Sequence, residues 1–430
     1  MLKPHLSLSR IKGRLRLILK GPDPQFQTDR NIYHLYYDIF WWSLLGVAIS
    51  FNSVYAIRLG ASNTLVGLLS SIPALMVILL RFPAARMMEC ASNRVSLIAR
   101  SLAAARSTYF LIALLPLFMT HHLAVAFVAL VILSGIPANL AMAGWDALFA
   151  DVVPEGRRAN VVSVRNALVN AAKVAILPLA GQWLEWAPFP LNYQVLYLAG
   201  FVGGMLSLYH VIRLRPPERK EEEGGPNLSW ELVQDLWGEQ QPYLRFVVGV
   251  FVLQWAISLP MALYNVYYVR YLNASDGWIG LRSTLASLTP LIGYRIWPRL
   301  IDRWGTRKVL AFGASVTMLF PLLTGLSGSL TALLGVVVVH GLLVPAMVLG
   351  HYNMLLQVCP VQRRPSYIAG YAIVANIAAF LAPMLGVQLL EVTSIHAVFF
   401  IAAAIRVTTG LLFLRLPPDS LRLQEARGRE

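Results

Sequence analysis

Apolar runs, each about as long as a bilayer's hydrocarbon core is thick, alternate with short polar stretches along most of the chain. A core of ~30 Å needs about 20 mostly apolar residues in a helix. By that ruler the sequence predicts twelve spans, near 37–58, 64–83, 96–117, 122–144, 160–184, 193–213, 244–268, 278–297, 308–328, 330–351, 366–390 and 394–414. Spans 3 and 4 are joined through Thr120-His121-His122, and spans 9 and 10 through Gly325 to Ser329, turns short enough for antiparallel helical hairpins. A longer charged break holds Arg219-Lys220-Glu221-Glu222-Glu223-Gly224-Gly225-Pro226 and divides six spans from six. The expected organisation is a basic N-terminal segment (1–36), a six-helix bundle (37–213), a linker (214–243), a second six-helix bundle (244–415) and a tail (416–430). A short surface helix is expected within the linker, near Leu228 to Trp237.

Composition supports the membrane reading. The chain is 57% hydrophobic and 13% charged, about half the charge of a soluble domain. The net charge of +15 would suggest nucleic acid in a soluble protein. Here the basic residues fall between apolar spans, where they set topology and attract anionic lipid, so no nucleic-acid partner is expected. One side collects Lys3 to Arg30, Arg86, Arg94, Arg157, Arg158, Arg213, Arg215, Arg299, Arg303, Arg307, Lys308, Arg363 and Arg364. The opposite side holds little beyond Arg58, Arg270 and Arg282. Both termini are therefore expected on the cytoplasmic side of a cytoplasmic membrane. The first apolar run exceeds a signal-peptide core, so no cleavage is expected. Residues 6–20 read either as a basic amphipathic helix on the inner leaflet or as a basic tail. The two cysteines, Cys90 and Cys359, are too few for a disulfide framework, and no metal-ligand cluster or cofactor motif is present.

The two six-span groups repeat one another. A shift of 213 places Trp42 on Trp255, Asn52 on Asn265, Tyr55 on Tyr268, Ala61-Ser62 on Ala274-Ser275, Arg86 on Arg299 and Arg94 on Arg307. A shift of 206 places Pro154 on Pro360, Arg157-Arg158 on Arg363-Arg364, Asn170 on Asn376 and Gln182 on Gln388. Two parallel halves of this kind hold a solute site between them, near the midplane.

The loop after span 8 reads Asp302-Arg303-Trp304-Gly305-Thr306-Arg307-Lys308. A helix must reverse there within a few residues, which glycine permits, while the cations stay with headgroups. This loop resembles the loop 8–9 motif of the major facilitator superfamily, and its partner falls in loop 2–3. The first-half copy departs from the pattern, with Glu89 for the aspartate and Ser92 where Gly305 would stand, while Arg94 remains. Loop 4–5, Asp151-Val-Val-Pro154-Glu-Gly-Arg157-Arg158, resembles the family's acidic-x-x-Pro-x-x-x-Arg pattern, and Gln357 replaces the acid in the repeat. The resemblance covers essentially the whole chain. It implies a monomer of twelve helices, and a cytoplasmic charge network of Glu89, Arg94, Asp151, Arg158, Asp302, Arg303, Arg307 and Arg364 around the Gly305 turn. Simple topology anchoring is the competing reading for each arginine.

Polar groups in hydrocarbon are costly and normally face a cavity. Span 5 carries Asn166, Asn170 and Lys173 on one helical face. Asn52 and Tyr55 lie on span 1, Gln254, Tyr264, Asn265 and Tyr268 on span 7, His340 on span 10 and Asn376 on span 11. The resemblance implies that spans 1, 4, 7 and 10 line the central path, which makes these residues candidates for substrate contact. Helix-to-helix bonding is the alternative for Asn52, Asn265, Asn170 and Asn376. Arg106 and Arg406 also lie inside spans, and local pairing is the preferred reading for Arg406. No midplane carboxylate is seen. Asp38 and Asp146, at the inner ends of spans 1 and 4, are the proton-carrier candidates, with an interfacial helix-end role preferred for Asp38.

The expected function is secondary transport of a small solute between two rocking halves. Proton-coupled export is set against import or facilitation by the same fold. Pro178 and Gly181 keep part of the exporters' span 5 motif. A non-transporting receptor or enzyme is the reading from another class. No HExxH, GxSxG or P-loop motif supports catalysis.

Overall fold

The computed structural model describes residues 26–91, 93–217, 241–360 and 364–416. The basic N-terminal stretch 6–20, the expected linker helix near 228–237, Arg363 and the tail beyond 416 lie outside the described residues.

Among the described residues, twelve helical rods account for the twelve predicted spans. The first six are α1 (Gln27–Ser50, continued as Asn52–Arg58), α2 (Asn63–Glu89), α3 (Arg94–Phe118), α4 (Leu123–Val152), α5 (Glu155–Trp186) and α6 (Leu191–Ile212). The second six begin with α7 (Gln241–Ser258, continued as Met261–Val266 and a π turn, Tyr267–Tyr271) and α8 (Asp276–Trp304). They continue with α9 (Thr306–Val316 and Leu319–Leu326), α10 (Leu330–Val358), α11 (Arg364–Val392) and α12 (Ile395–Leu414). Eleven of the rods are long and apolar enough to cross a membrane. The twelfth, α8, carries Arg282, Arg295 and Arg299 along its length. The protein is an all-helical multi-pass membrane protein.

Helices dominate because hydrocarbon offers backbone N–H and C=O groups no water, and a helix satisfies them internally. Leu79 (61% exposed), Leu133 (53%) and Leu179 (64%) point outward, where lipid tails receive them. The spans run past the predicted limits, since apolar runs mark the hydrocarbon layer and polar end turns continue the helix. At 32 residues, α5 is ~48 Å long at ~1.5 Å per residue.

The repeat is visible in small polar details. Ser62 and Ser275, matched by the 213 shift, cap α2 and α8 by accepting from Leu65 N–H and Trp278 N–H, each at 3.2 Å. Asn170 and Asn376 each donate to the carbonyl four residues back, Asn166 O and Ala372 O, at 2.8 Å. Arg158 donates to Ala150 O (2.9 Å), and Arg364 to the equivalent Leu356 O (3.3 Å), so each caps the end of the preceding helix.

The face where α1 begins and α12 ends is called proximal here, and the other face distal. Near the distal face one apolar core crosses both halves, joining Phe51, Val54, Tyr55 and Leu184 to Leu259, Leu263, Tyr268 and Ile279. Toward the proximal face the core divides. Ile32, Leu35, Met88, Ile98 and Leu148 form one cluster in the first half, and Tyr243, Phe246, Leu310, Met354 and Phe413 form another in the second.

Gly305 makes the α8–α9 reversal with φ +83°. A side chain there would be strained by about 1–2 kcal/mol. Gly305→Ala is therefore expected to lower the melting temperature of purified protein. Gly328→Ala, in a distal turn where an added Cβ meets nothing within 4 Å, is expected to leave it unchanged.

Candidate functional site

The two halves meet along two helix pairs, α2 with α11 and α5 with α8. In the second pair the backbones nearly touch: a Cβ on Gly181 would lie 2.9 Å from Asp276 O and 3.0 Å from the Gly280 Cα. The glycine that survives from the exporters' span 5 motif thus has a packing role at the seam between halves. Small residues there allow close approach.

At the distal end the halves are latched by two reciprocal arginines. Arg58, closing α1, donates to Ala274 O at 2.7 Å and reaches Asp276 Oδ1 at 3.4 Å. Arg270, closing α7, donates to Asn63 Oδ1 at 2.6 Å and to Ala61 O. Ala61 and Ala274 are repeat equivalents, as are Asn63 and Asp276, so each half grips the same two positions of the other. Ser275 adds a bond to Glu185 Oε2 at 3.1 Å. Among the described residues, the hydrogen bonds between side chains of one half and groups of the other lie at this end. The protein is therefore sealed on the distal side, with separate cores on the proximal side.

The sequence candidates divide between open and buried positions. Asn166 is exposed, Asn170 and Lys173 are half-buried, and the Lys173 ammonium lies 6.0 Å from the Trp42 ring with no ion pair among the described residues. Asn376 is half-buried beside Arg81 in a small cleft between α2 and α11. Asn265 is half-buried, and Gln254 donates to Ser258 Oγ at 2.9 Å. The other path candidates make contacts within their own bundle. Asn52 is 9% exposed and accepts a bond from the Tyr197 hydroxyl at 2.9 Å, tying α1 to α6. Tyr55 stacks on Tyr193 at 4.4 Å. Tyr264 and Tyr268 are 7% and 1% exposed, inside the second bundle with His340, whose ring stacks on Phe320 at 4.3 Å. Tyr55, Tyr264 and Tyr268 belong to the apolar core that crosses both halves.

The expected proximal charge network exists only in pieces. Arg94 reaches Asp151 at 3.7 Å and donates to Met88 O. Gln357, standing for Asp151 in the repeat, donates to Thr306 Oγ1 at 3.2 Å. Arg307 caps α12 through Leu416 O at 2.9 Å. Asp302 and Arg303 are exposed without an ion pair among the described residues, and Glu89 closes α2. All the bonds formed stay within one half, as separated proximal ends require.

The structure corrects the placement of two membrane charges and defines two more. Asp38 is not at a helix end: α1 starts at Gln27, and Asp38 is 4% exposed. Its carboxylate accepts from Ser207 Oγ at 2.5 Å and from two Arg165 nitrogens at 3.2 Å. Arg106 joins the same cluster, donating to Ser207 Oγ at 2.9 Å and Gly204 O at 2.7 Å. Arg282, counted as distal from sequence, lies inside α8 with its guanidinium 5.0 Å over the Tyr268 ring. Arg406 is 3% exposed and donates to Thr317 O at 2.7 Å, a local pairing and not a snorkel. Asp146 is exposed on α4 without an ion pair among the described residues. Sequence reasoning passed over Arg165 and Ser207. Their signal was an arginine ten residues into span 5's helix and a serine on the small-residue face of span 6.

Three outcomes follow. Removing one partner of a buried ion pair costs about 3–5 kcal/mol, so Asp38→Asn should sharply lower thermal stability. Asp29→Asn breaks the exposed Asp29–Arg157 pair, worth ~0–1 kcal/mol, and should barely shift it. In an Ala274→Cys background without native cysteines, Arg58→Ala should raise the maleimide labelling rate of that buried distal position roughly tenfold, for ~1.4 kcal/mol of latch energy.

The family model described as Major Facilitator Superfamily matches residues 38–267 and 246–429. No curated protein matches the chain. Among solved structures, a mutant of the nucleoside transporter NupG aligns with TM-score 0.70 at 12% identity, covering 90% of this chain and 99% of its own. A bacterial homologue of the iron transporter ferroportin in the inward-facing state aligns with TM-score 0.69 at 13% identity, covering 92% and 99%. A D-xylose-proton symporter aligns with TM-score 0.63 at 16% identity, covering 91% and 97%. At these identities the structures speak for the fold alone. With a family model spanning both halves, and a fold of twelve helices in two repeats, the chain belongs to the major facilitator superfamily and is a membrane transporter.

Proposed function

We propose that the protein moves a small solute by alternating access, as a monomer in the cytoplasmic membrane with both termini in the cytoplasm, and that the conformation described here is open to the cytoplasm. The observation that carries this reading is the one-sided latch: bonds between halves gather at the distal end, while the proximal cores are separate. The positive-inside asymmetry makes the proximal face cytoplasmic. Rocking the halves about the α5–α8 and α2–α11 seams would break the Arg58 and Arg270 bonds and bring the proximal ends together. Exposed charge-assisted bonds of this kind are worth ~1 kcal/mol each, so the latch holds one state by a few kcal/mol, the range in which a solute shifts populations.

The solute path in this reading runs along the α5 face of Asn166, Asn170 and Lys173, opposite Asn265 and Gln254 of α7 and Asn376 of α11. Lys173, a cation without an acidic partner among the described residues, is the anchor for the solute. The loops carrying Glu89, Arg94, Asp151, Arg158, Asp302, Arg303, Arg307 and Arg364 re-pair when the proximal face closes. Asp146, exposed on α4, carries the proton if flux is proton-coupled. Asp38 is set aside as carrier, because its oxygens are committed to Arg165 and Ser207. Export is the direction proposed, on the retained Pro178 of α5 together with the cytoplasm-open resting state.

A thermal-shift screen of the purified chain identifies the solute, since a ligand at a hundred times its Kd stabilises the folded state by ~2.7 kcal/mol. In proteoliposomes, Lys173→Ala should lower flux of that solute at least tenfold with an unchanged melting temperature. Asp146→Asn should abolish its response to a pH gradient. Unaltered flux in Lys173→Ala would remove that residue from the path, and an unaltered pH response would remove Asp146 as carrier.

A further inference from the structure

The second bundle contains a group of hydrogen-bonding side chains that the protein itself does not satisfy. Eight buried side-chain polar atoms lack a hydrogen-bond partner among the described residues, and five of them belong to Tyr264, Arg282, Thr324, His340 and Arg406. These five residues come from α7, α8, α9, α10 and α12 and converge on one place. Tyr264 packs on Phe320 at 4.8 Å and on Phe399 at 5.1 Å, and Phe320 stacks on the His340 ring at 4.3 Å. His340 lies within electrostatic reach of both Arg282 and Arg406, and so does Tyr264. Arg406 donates through one terminal nitrogen to Thr317 O and lies beside the Tyr264 hydroxyl, while its buried Nε–H has no partner among the described residues.

The charge balance is as telling as the geometry. In the first bundle, Arg106 and Arg165 surround the Asp38 carboxylate. Among the described residues of the second bundle the acids are Asp276, Asp302 and Glu391, all at helix ends, and Asp276 is held by Arg58. Two guanidinium groups therefore share a low-dielectric bundle with no carboxylate beside them among the described residues, a costly arrangement unless something else supplies the negative charge. The unsatisfied groups are two guanidinium N–H donors, two hydroxyls and an imidazole nitrogen, which together suit an acceptor-rich ion.

We propose that this cluster binds an anion: either a small inorganic ion resident in the bundle or the carboxylate or phosphate of the transported solute. The inference rests on the transport reading only in its second source. Arg282 and His340 are the members left partly exposed, so the ion enters past them. Lys173, on α5, supplies positive charge on the way in. On this account the cargo, where the cargo is the source, is an organic anion.

The test uses the full chain in detergent at fixed ionic strength, with sodium gluconate replaced stepwise by sodium chloride, sodium phosphate or sodium benzoate while the melting temperature is followed. A saturable rise with at least one of the three is expected. Arg406→Gln also removes a bond to α9 and is expected to impair folding, so Arg282→Gln and Tyr264→Phe carry the comparison. Each should weaken the apparent anion affinity at least tenfold, while Lys308→Gln, on the surface, should not. A response to chloride alone assigns the site to a resident inorganic ion. A response to benzoate or phosphate, with flux of that anion in proteoliposomes, assigns it to the cargo. Absence of any saturable response, or a response equally strong in Arg282→Gln and Tyr264→Phe, overturns the site. Anion stabilisation without flux of any solute keeps the site and removes the transport reading. Flux of a neutral or cationic solute without an anion response does the reverse.

Discussion

A charge buried in a membrane has no water to turn to, and this constraint organises the molecule. Each intramembrane ion must find a partner within the protein or stand beside a space that something else enters. In the first bundle the rule is met internally, with Asp38 shared between Arg165 and, through Ser207, Arg106. That cluster ties α1, α3, α5 and α6 together. At the distal rim the rule is met across the seam, where Arg58 and Arg270 take carbonyl and side-chain oxygens from the opposite half. Among the described residues, Lys173 and the Arg282 and Arg406 of the second bundle have no carboxylate partner.

Close packing supplies the complementary constraint. Gly181 against Gly280 brings two backbones together along α5 and α8. The latch arginines sit beyond it, at the end of the lever, where a small rotation separates donors from acceptors by several ångströms. Strong bonds stay inside each half and weak, reciprocal ones lie between halves. On the proposed alternating-access reading, that division lets rigid bodies exchange positions without unfolding.

The twelve spans, the division six and six, and the repeat were all legible, because hydrocarbon imposes length and apolarity on every crossing helix. Helix ends were less so: hydropathy marks the lipid layer and is blind to polar turns that extend a helix, which put Asp38 at an end where the structure has an interior. Arg58 and Arg270 stood out in the sequence as exceptions to the charge asymmetry, yet their role needs the Ala61-Ser62 and Ala274-Ser275 turns brought face to face, a long-range fact no local pattern carries. The same holds for Arg282, six residues inside α8. Its position relative to the membrane surface was ambiguous by one or two helical turns, and its place over Tyr268 depends on how α7 and α8 pack. Asn52 and Tyr55 were read as path-lining by analogy of span. In the structure Asn52 bonds Tyr197 and Tyr55 stacks on Tyr193, contacts that depend on how α1 packs on α6.

The most direct measurement is the pair of distances between halves on the two faces, read by electron–electron double resonance in lipid nanodiscs. Spin labels at His121→Cys and Gly328→Cys report the distal face, and labels at Arg86→Cys and Arg299→Cys report the proximal face. Alternating access around a distal latch predicts a narrow distal distribution without solute, and on solute addition a longer distal and a shorter proximal distance, changing together in the same fraction of molecules. Distances that stay fixed, or that lengthen on both faces at once, would contradict it.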